Sequence, residues 1–244
     1  DLDLARSAVP FVYDVVNDHF QKRASDWGRL AEHYQTMCDW AEQVTCASAT
    51  MAEIIKQHTG MDAVVIDDPY ENDENPPQCE GKNVLWFGHS ANISSLVKVW
   101  NEVEDEYLRV CSNVPHDAVT PWSLDNERRG LQDCAVVLIT GNNPGASSNR
   151  IVKALRAGRF VVTPGGVPAW DVLGDFIWIG DVRQGIEWAY NNREEACAKI
   201  KIGQAYVREA NDPRTIAAKW REVFASTSAP VTSGKQDGSP STWQ

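Results

Sequence analysis

No stretch of about 18 consecutive apolar residues occurs in the 244 residues, so no segment has the length and hydropathy of a membrane-spanning helix. Positive charge is scarce: 23 Lys and Arg stand against 34 Asp and Glu, a net charge of -11. A broad nucleic-acid-binding face needs clustered Lys and Arg, so a nucleic-acid partner is disfavoured, although a local basic pocket can coexist with an acidic whole. The six cysteines, at 38, 46, 79, 111, 134 and 197, form no CxxC pair. That removes the common zinc and dithiol motifs. Cys46, Cys111 and Cys134 lie in or beside apolar strand-like runs and read as buried, reduced thiols. The amino-terminal "DLDLARSAVPF" lacks the basic flank and apolar core of a signal peptide, so a reducing cytoplasm is the expected compartment. Missing too are a Walker loop, HExxH, GxSxG and any metal-ligand cluster, so neither metal nor cofactor is expected. Without GxGxxG and Tyr-x-x-x-Lys, an ordinary Rossmann dehydrogenase or nucleotide-sugar epimerase is disfavoured.

What is present is an alternation of strand and helix patterns. "VPFVYDVV" (9–16) reads as a strand, "SDWGRLAEHYQTMCDWAEQ" (25–43) as a helix behind a Ser or Asp cap, and "VTCAS" (44–48), a helix over 49–58 and "AVVIDDP" (63–69) complete a β-α-β-α-β run. The stretch 67–82, "DDPYENDENPPQCEGK", is too rich in Pro, Asn, Asp and Glu to build a core and reads as a solvated hinge or linker. Beyond it come "NVLWFGH" (83–89), an amphipathic helix over 92–107, "LRVCS" (108–112), a short helix around "LDNERRGLQ" and "CAVVLIT" (134–140). A further turn and helix lead to "FVVTP" (160–164) and "FIWIG" (176–180), followed by helices over 181–191, 193–210 and 213–225. Helical crossovers of this length join parallel strands, so a Rossmann-like, doubly wound α/β sheet is expected. The expected organisation is a partial first α/β domain at 1–66, the linker at 67–82, a second α/β domain at 83–225 and a disordered Ser-, Pro- and Gly-rich tail at 226–244.

Ligands of open parallel sheets lie beyond the carboxyl ends of the strands. Three loops qualify. In 141–149, Ser147, Ser148 and Asn149 collect hydroxyls, an amide and helix N-terminal N–H groups, a combination that favours phosphate. A plain N-cap explains one of the three. Arg150 and Lys153 add charge if they face that loop rather than solvent. In "FGHSANIS" (87–94), Gly88 permits a tight turn while His89, Ser90 and Asn92 crowd the mouth of the sheet. His89 is suited to bond a phosphate or sugar hydroxyl, or to support a cap. In 115–127, Trp122 beside Ser123 offers an aromatic face for a nucleobase, with packing as the competing role for one of ten tryptophans.

Four segments carry a resemblance. "VTCASATMAEIIKQHTGMDAVVIDDPYE" is similar to the stretch by which GT-B type glycosyltransferases finish their first domain and cross to the second. "NVLWFGHSANISSL" is similar to the first strand and Gly-bearing loop of their donor domain, and "SSNRIVKALRAGRFVVTPGGVPAW" to their "K-S-x-N-R-x-x-E-A-L-x-x-G-x-x-V-V" helix and strand. "AYVREANDPRTIAAKWREVF" resembles their closing helices, the last of which packs back towards the first domain. In order and spacing the likeness spans about residues 9 to 225. It implies the C-terminal GT-B domain with a partial N-terminal one, and metal-independent transfer from a nucleotide-sugar whose diphosphate lies near Ser147 to Asn149. The expected substrate-binding residues are Gly88, Asn92, Trp122, Ser123, Ser147, Ser148, Asn149 and Arg150, and the expected catalytic residues are His89 and Asp18. Asp14, Asp18 and His19 fall where acceptor-side residues gather in that group.

The chain departs from the pattern at Ala146, where the group often has Lys, and at Lys153, where it often has Glu. The first domain is short as well, which leaves room for a second polypeptide completing it. Two readings follow: a glycosyltransferase acting on an unidentified acceptor, or a non-catalytic nucleotide-binding or scaffold module that keeps the fold.

Overall fold

The segments "VLWF", "VVL" and "FVVT" are apolar at every position, the pattern of strands covered on both faces. The computed structural model, which describes residues 10–20, 28–103, 107–141 and 143–227, places them at the centre of a six-stranded sheet. Two all-parallel sheets follow one another along the chain. The first is built from β1 (Val12–Val15), α1 (Gly28–Trp40), β2 (Gln43–Cys46), α2 (Ala49–Thr59) and β3 (Ala63–Val65), with strand order β1-β2-β3.

The second contains β4 (Val84–Phe87), α3 (Ile93–Val97), β5 (Leu108–Ser112), β6 (Val119–Pro121), α4 (Leu124–Asp133), β7 (Val136–Leu138), α5 (Asn149–Arg156), β8 (Phe160–Thr163) and β9 (Trp178–Ile179). Its order is β6-β5-β4-β7-β8-β9, all parallel, with Val84 level with both Leu108 and Val136. Helices α6 (Val182–Asn191), α7 (Arg193–Ala210) and α8 (Pro213–Thr227) close the described chain.

Alternate side chains of each central strand serve opposite cores. Leu85, Phe87, Val137 and Val161 pack with Ile151, Val152 and Leu155 of α5. Val84, Trp86, Val136 and Val162 pack on the other face with Leu96, Val182 and Ile186. The crossover after β4 therefore runs on one face and the crossover after β7 on the other. This is the doubly wound arrangement that the alternation implied.

Three local features differ from the sequence reading. The helix expected over 92–107 shortens to α3, flanked by 3-10 turns at Ser90–Asn92 and Trp100–Glu102. The Ser95 hydroxyl donates to the Asn92 carbonyl at 2.6 Å and the Val99 N–H bonds Leu96, so backbone carbonyls that a longer helix would use are already taken. Strand β6 was not expected. Three residues are too few to show a period, and Pro121 is tolerated because β6 is an edge strand. Helix α8 continues to Thr227, past the expected limit at 225, and the rest of the expected tail lies outside the described residues.

The stretch 67–82, which lies between β3 and β4, is fastened rather than loose. Asn211 donates its amide to the Asp68 carbonyl at 2.8 Å, Asn72 donates to the Lys153 carbonyl at 3.0 Å, and Gln204 donates to the Asn75 carbonyl at 2.8 Å. Arg156, 8% exposed, donates to Glu74 at 2.7 Å and lies 3.9 Å from the Tyr70 ring centroid. These partners satisfy the Asp68 and Asn75 carbonyls where a sheet ladder is absent. Helix α8 returns to the first sheet, packing Ile216 and Val223 with Ile66 and Val12.

Gly158, just past α5, holds the linker close. Its φ is +75°, and a Cβ there would stand 2.2 Å from the Pro76 carbonyl oxygen. Gly158→Ala should cost about 3 kcal/mol through left-handed strain and displacement of the linker, read by urea unfolding against wild type. A loss below about 1 kcal/mol would show that the linker yields freely there.

Candidate functional site

Strand order in the second sheet reverses between β4 and β7, and the crevice beyond their carboxyl ends is where open α/β sheets bind ligands. Arg150, in the first turn of α5, reaches into it. One guanidinium nitrogen donates to the Phe87 carbonyl at 3.2 Å and another to the Thr140 carbonyl at 2.7 Å, tying the two strand ends together. Burial pulls Arg150 down to about 10, and among the described residues it makes no ion pair. Gly88 makes room for it: a Cβ there would meet the Arg150 guanidinium at 3.0 Å and the Trp86 ring at 3.1 Å. Beneath lies a buried relay. The Trp86 indole N–H donates to the Thr140 hydroxyl at 2.9 Å, Thr140 bonds the Ser95 hydroxyl at 2.7 Å, and Ser95 donates to the Asn92 carbonyl.

Above this crevice opens a cavity of about 390 Å³ lined by Phe87, Gly88, His89, Asn113, Trp122, Glu127, Asn149, Arg150 and Lys153. Glu127, only 5% exposed, organises one wall: it accepts from the Trp122 indole at 3.0 Å and pairs with Lys153 at 2.9 Å. Lys153 also reaches Glu71 of the linker at 3.2 Å. Burial alone would push the Lys153 ammonium down, but the two carboxylates more than offset it and hold it above its usual value. Trp122 remains 51% exposed at the rim.

His89 occupies the opposite lip. Its Nδ1 accepts the Ala91 N–H at 3.2 Å, so a neutral ring carries its proton on Nε2. That nitrogen lies 3.2 Å from the Asn113 side-chain amide, whose oxygen already accepts the Ser90 N–H at 2.7 Å. Two N–H donors thus stand side by side at this lip, 3.2 Å apart. In this tautomer His89 is a donor rather than a base.

Of the residues read from the sequence, the structure brings Gly88, His89, Trp122, Asn149 and Arg150 to this one cavity. It disperses the others. Ser147 accepts the Asn149 N–H at 3.1 Å and donates to the Asp68 carboxylate, joining the loop to the linker. Ser148 lines a separate recess of about 30 Å³ with Ser48, Asp67 and Asn211. Ser123 caps α4, accepting the Asn126 N–H at 3.1 Å, and the Asn92 carbonyl terminates the buried relay. In and just after β1, Asp18 accepts the Phe20 N–H at 3.1 Å, Asp14 accepts from the Thr45 hydroxyl at 2.7 Å, and the His19 ring sits edge-on to Tyr34 at 5.0 Å. Burial lowers the His19 pKa.

Sequence reading passed over Asn113 and Glu127. Asn113 directly follows β5, so the strand-end rule that singled out Gly88 applies to it equally. Glu127 lies one helical turn before buried Leu131, a carboxylate on the apolar face of α4. Among the described residues no group of three or more His, Cys, Asp or Glu is placed to hold a metal ion, and no helix is long and apolar enough to cross a membrane.

No protein-family model matches the chain, and no curated protein matches it in sequence. Solved structures match in fold. HepE of Anabaena, crystallised with UDP and glucose, aligns with a TM-score of 0.70 at 16% identity, over 89% of this chain and 72% of its own. TarM of S. aureus, crystallised with fondaparinux, alpha-GlcNAc-glycerol and UDP, aligns at 0.68 with 14% identity, over 88% of this chain and 50% of its own. WaaG, a glycosyltransferase involved in lipopolysaccharide biosynthesis, aligns at 0.61 with 10% identity, over 88% and 75%. The chain thus spans half the length of TarM and about three quarters of the other two. Two parallel α/β units joined by a fastened linker and closed by a returning helix, aligned across nearly nine tenths of the chain with these glycosyltransferase structures, give this protein the GT-B fold.

Proposed function

We propose that the chain binds a nucleotide-sugar over β4 and β7 and transfers its sugar to an acceptor. The observation that carries this reading is Arg150, a largely enclosed guanidinium at the switch point with carbonyl partners and, among the described residues, no carboxylate. Its charge is destabilised by burial, so an anion arriving at the cavity recovers part of that cost. The diphosphate is placed between Gly88, His89 and Asn149, with the His89 and Asn113 N–H groups as donors and the nucleobase against Trp122. HepE and TarM, crystallised with UDP, add support to a nucleoside diphosphate as the ligand.

Breaking the bond between the anomeric carbon and the phosphate oxygen makes the sugar carbon cationic and leaves negative charge on the diphosphate. Donors fixed at the cavity are worth most at that moment, because their geometry needs no reorganisation. The proposed transfer uses these donors without a divalent ion. The single carboxylate in the cavity lining, Glu127, is committed to Trp122 and Lys153. The acceptor is proposed to approach from the first-sheet loops after β1, where Asp18 lies, with a second chain as a candidate for completing that side. The proposed compartment is the cytoplasm, a reading supported by buried free thiols such as Cys38 and Cys134.

One observation favours the non-catalytic reading: Lys153, the other cation of the cavity, is neutralised by Glu127 and Glu71. Turnover of a radiolabelled nucleotide-sugar separates the two. Binding without hydrolysis or transfer would leave a nucleotide-binding module.

UDP, GDP, CDP and ADP should be compared by thermal unfolding. One of them, at a hundred times its Kd, should add about 2.7 kcal/mol, a rise of roughly 5–10 °C for a chain of this size. Trp122→Ala should weaken that nucleotide about tenfold, read against the variant's own unliganded melting temperature. No shift with any of the four would defeat the placement. Glu127→Gln removes a carboxylate from the cavity wall and leaves Lys153 with Glu71 alone, so calorimetry should show the diphosphate binding about three- to tenfold tighter. Unchanged affinity would put the diphosphate elsewhere.

A further inference from the structure

Cys79 and Cys197 stand 118 residues apart in sequence, yet their sulfurs are 2.7 Å apart in the fold. A covalent disulfide is about 2.04 Å, so little movement separates the two thiols from a bond. The fastened linker creates the meeting: after Pro76 passes over Gly158, the Gln78 N–H bonds the Gly158 carbonyl at 2.9 Å and sets Cys79 against the first turns of α7. Cys79 is buried and Cys197 partly exposed, beside an open groove of about 430 Å³ whose lining includes Arg193 and Lys201. Two guanidinium groups act electrostatically on Cys79. One is Arg193; the other is Arg159, 4% exposed, whose Nη1 is buried without a hydrogen-bond partner among the described residues. Burial, and Cys197 beside it, push the Cys79 thiol up to about 12, while the two arginines act in the opposite sense.

We propose that Cys79 and Cys197 form a redox-sensitive clasp that closes into a disulfide by exchange with a low-molecular-weight disulfide such as oxidised glutathione. Cys197, the accessible partner, attacks as thiolate, forming a mixed disulfide and expelling one glutathione thiolate. The Cys79 thiolate then attacks the Cys197 sulfur and expels the second. The protein pair loses two electrons and two protons; the oxidised glutathione gains the electrons and leaves as two thiols. The cross-link joins the end of the linker to α7 and closes a long loop in the unfolded chain, which stabilises the fold. A reducing environment keeps the pair as thiols.

The full chain is incubated with excess oxidised glutathione, digested without reduction and read by mass spectrometry, with melting followed in parallel. The expected result is a peptide pair joined through Cys79 and Cys197, no retained glutathione, and a melting temperature higher by about 10 °C that dithiothreitol reverses. Cys197→Ser should abolish both the joined peptides and the shift. Glutathione persisting on Cys197, or both thiols remaining open to alkylation, would overturn the clasp.

Discussion

A guanidinium held between two strand ends organises the second sheet. Arg150 donates to the Phe87 carbonyl, the last of β4, and to the Thr140 carbonyl just past β7, neighbouring strands whose crossovers leave to opposite faces. At that point the helices diverge and leave the strand ends uncovered, so a cross-tie is needed there and a ligand has space there. The requirement propagates outward. Gly88 must lack a side chain for the guanidinium to fit, and Thr140, whose carbonyl Arg150 holds, anchors the Trp86 and Ser95 relay below. Carbonyl dipoles solvate the cation only partly, which leaves an unneutralised charge beneath the cavity.

The second constraint is the coupling of the two sheets. Ser147 bonds Asp68, Ser48 donates to the Gly145 carbonyl at 3.3 Å, and a Cβ on Gly145 would lie 3.1 Å from the Met51 backbone. These contacts place α2 of the first domain directly against the loop that precedes α5. The polar residues of that loop are therefore divided between two tasks. Ser147 and Ser148 face the domain junction, and Asn149 faces the cavity.

Much of the architecture was legible in the sequence. Unbroken apolar runs such as "VLWF" and "FVVT" identify strands buried on both faces, and the helical patterns between them require parallel crossovers. Gly88, His89, Trp122, Asn149 and Arg150 were legible because each lies in a loop or first helical turn reached from a strand end. Asn113 obeyed the same rule and was passed over. Helix α3 was overread because Ile93 and Leu96 keep a helical period even though Ser95 and the 3-10 turn at Val99 end the helix early. The linker's composition predicted a stretch without core, yet Cys79 is buried in the core of the second sheet and Tyr70 packs against its other face. Its fastening was not legible, since the partners Arg156, Gln204 and Asn211 come from helices that begin more than 60 residues later.

The order of strands and helices, the doubly wound sheet and the small-residue loops were determined by the sequence itself, because burial on two faces and crossover length are properties of consecutive residues. Partner choice was decided only by the tertiary structure. Whether Lys153 is free or neutralised depends on Glu127 and Glu71, and whether Cys79 is alone or paired depends on α7. Those meetings are between residues remote in sequence, where distance and burial set the interaction and no local pattern records it.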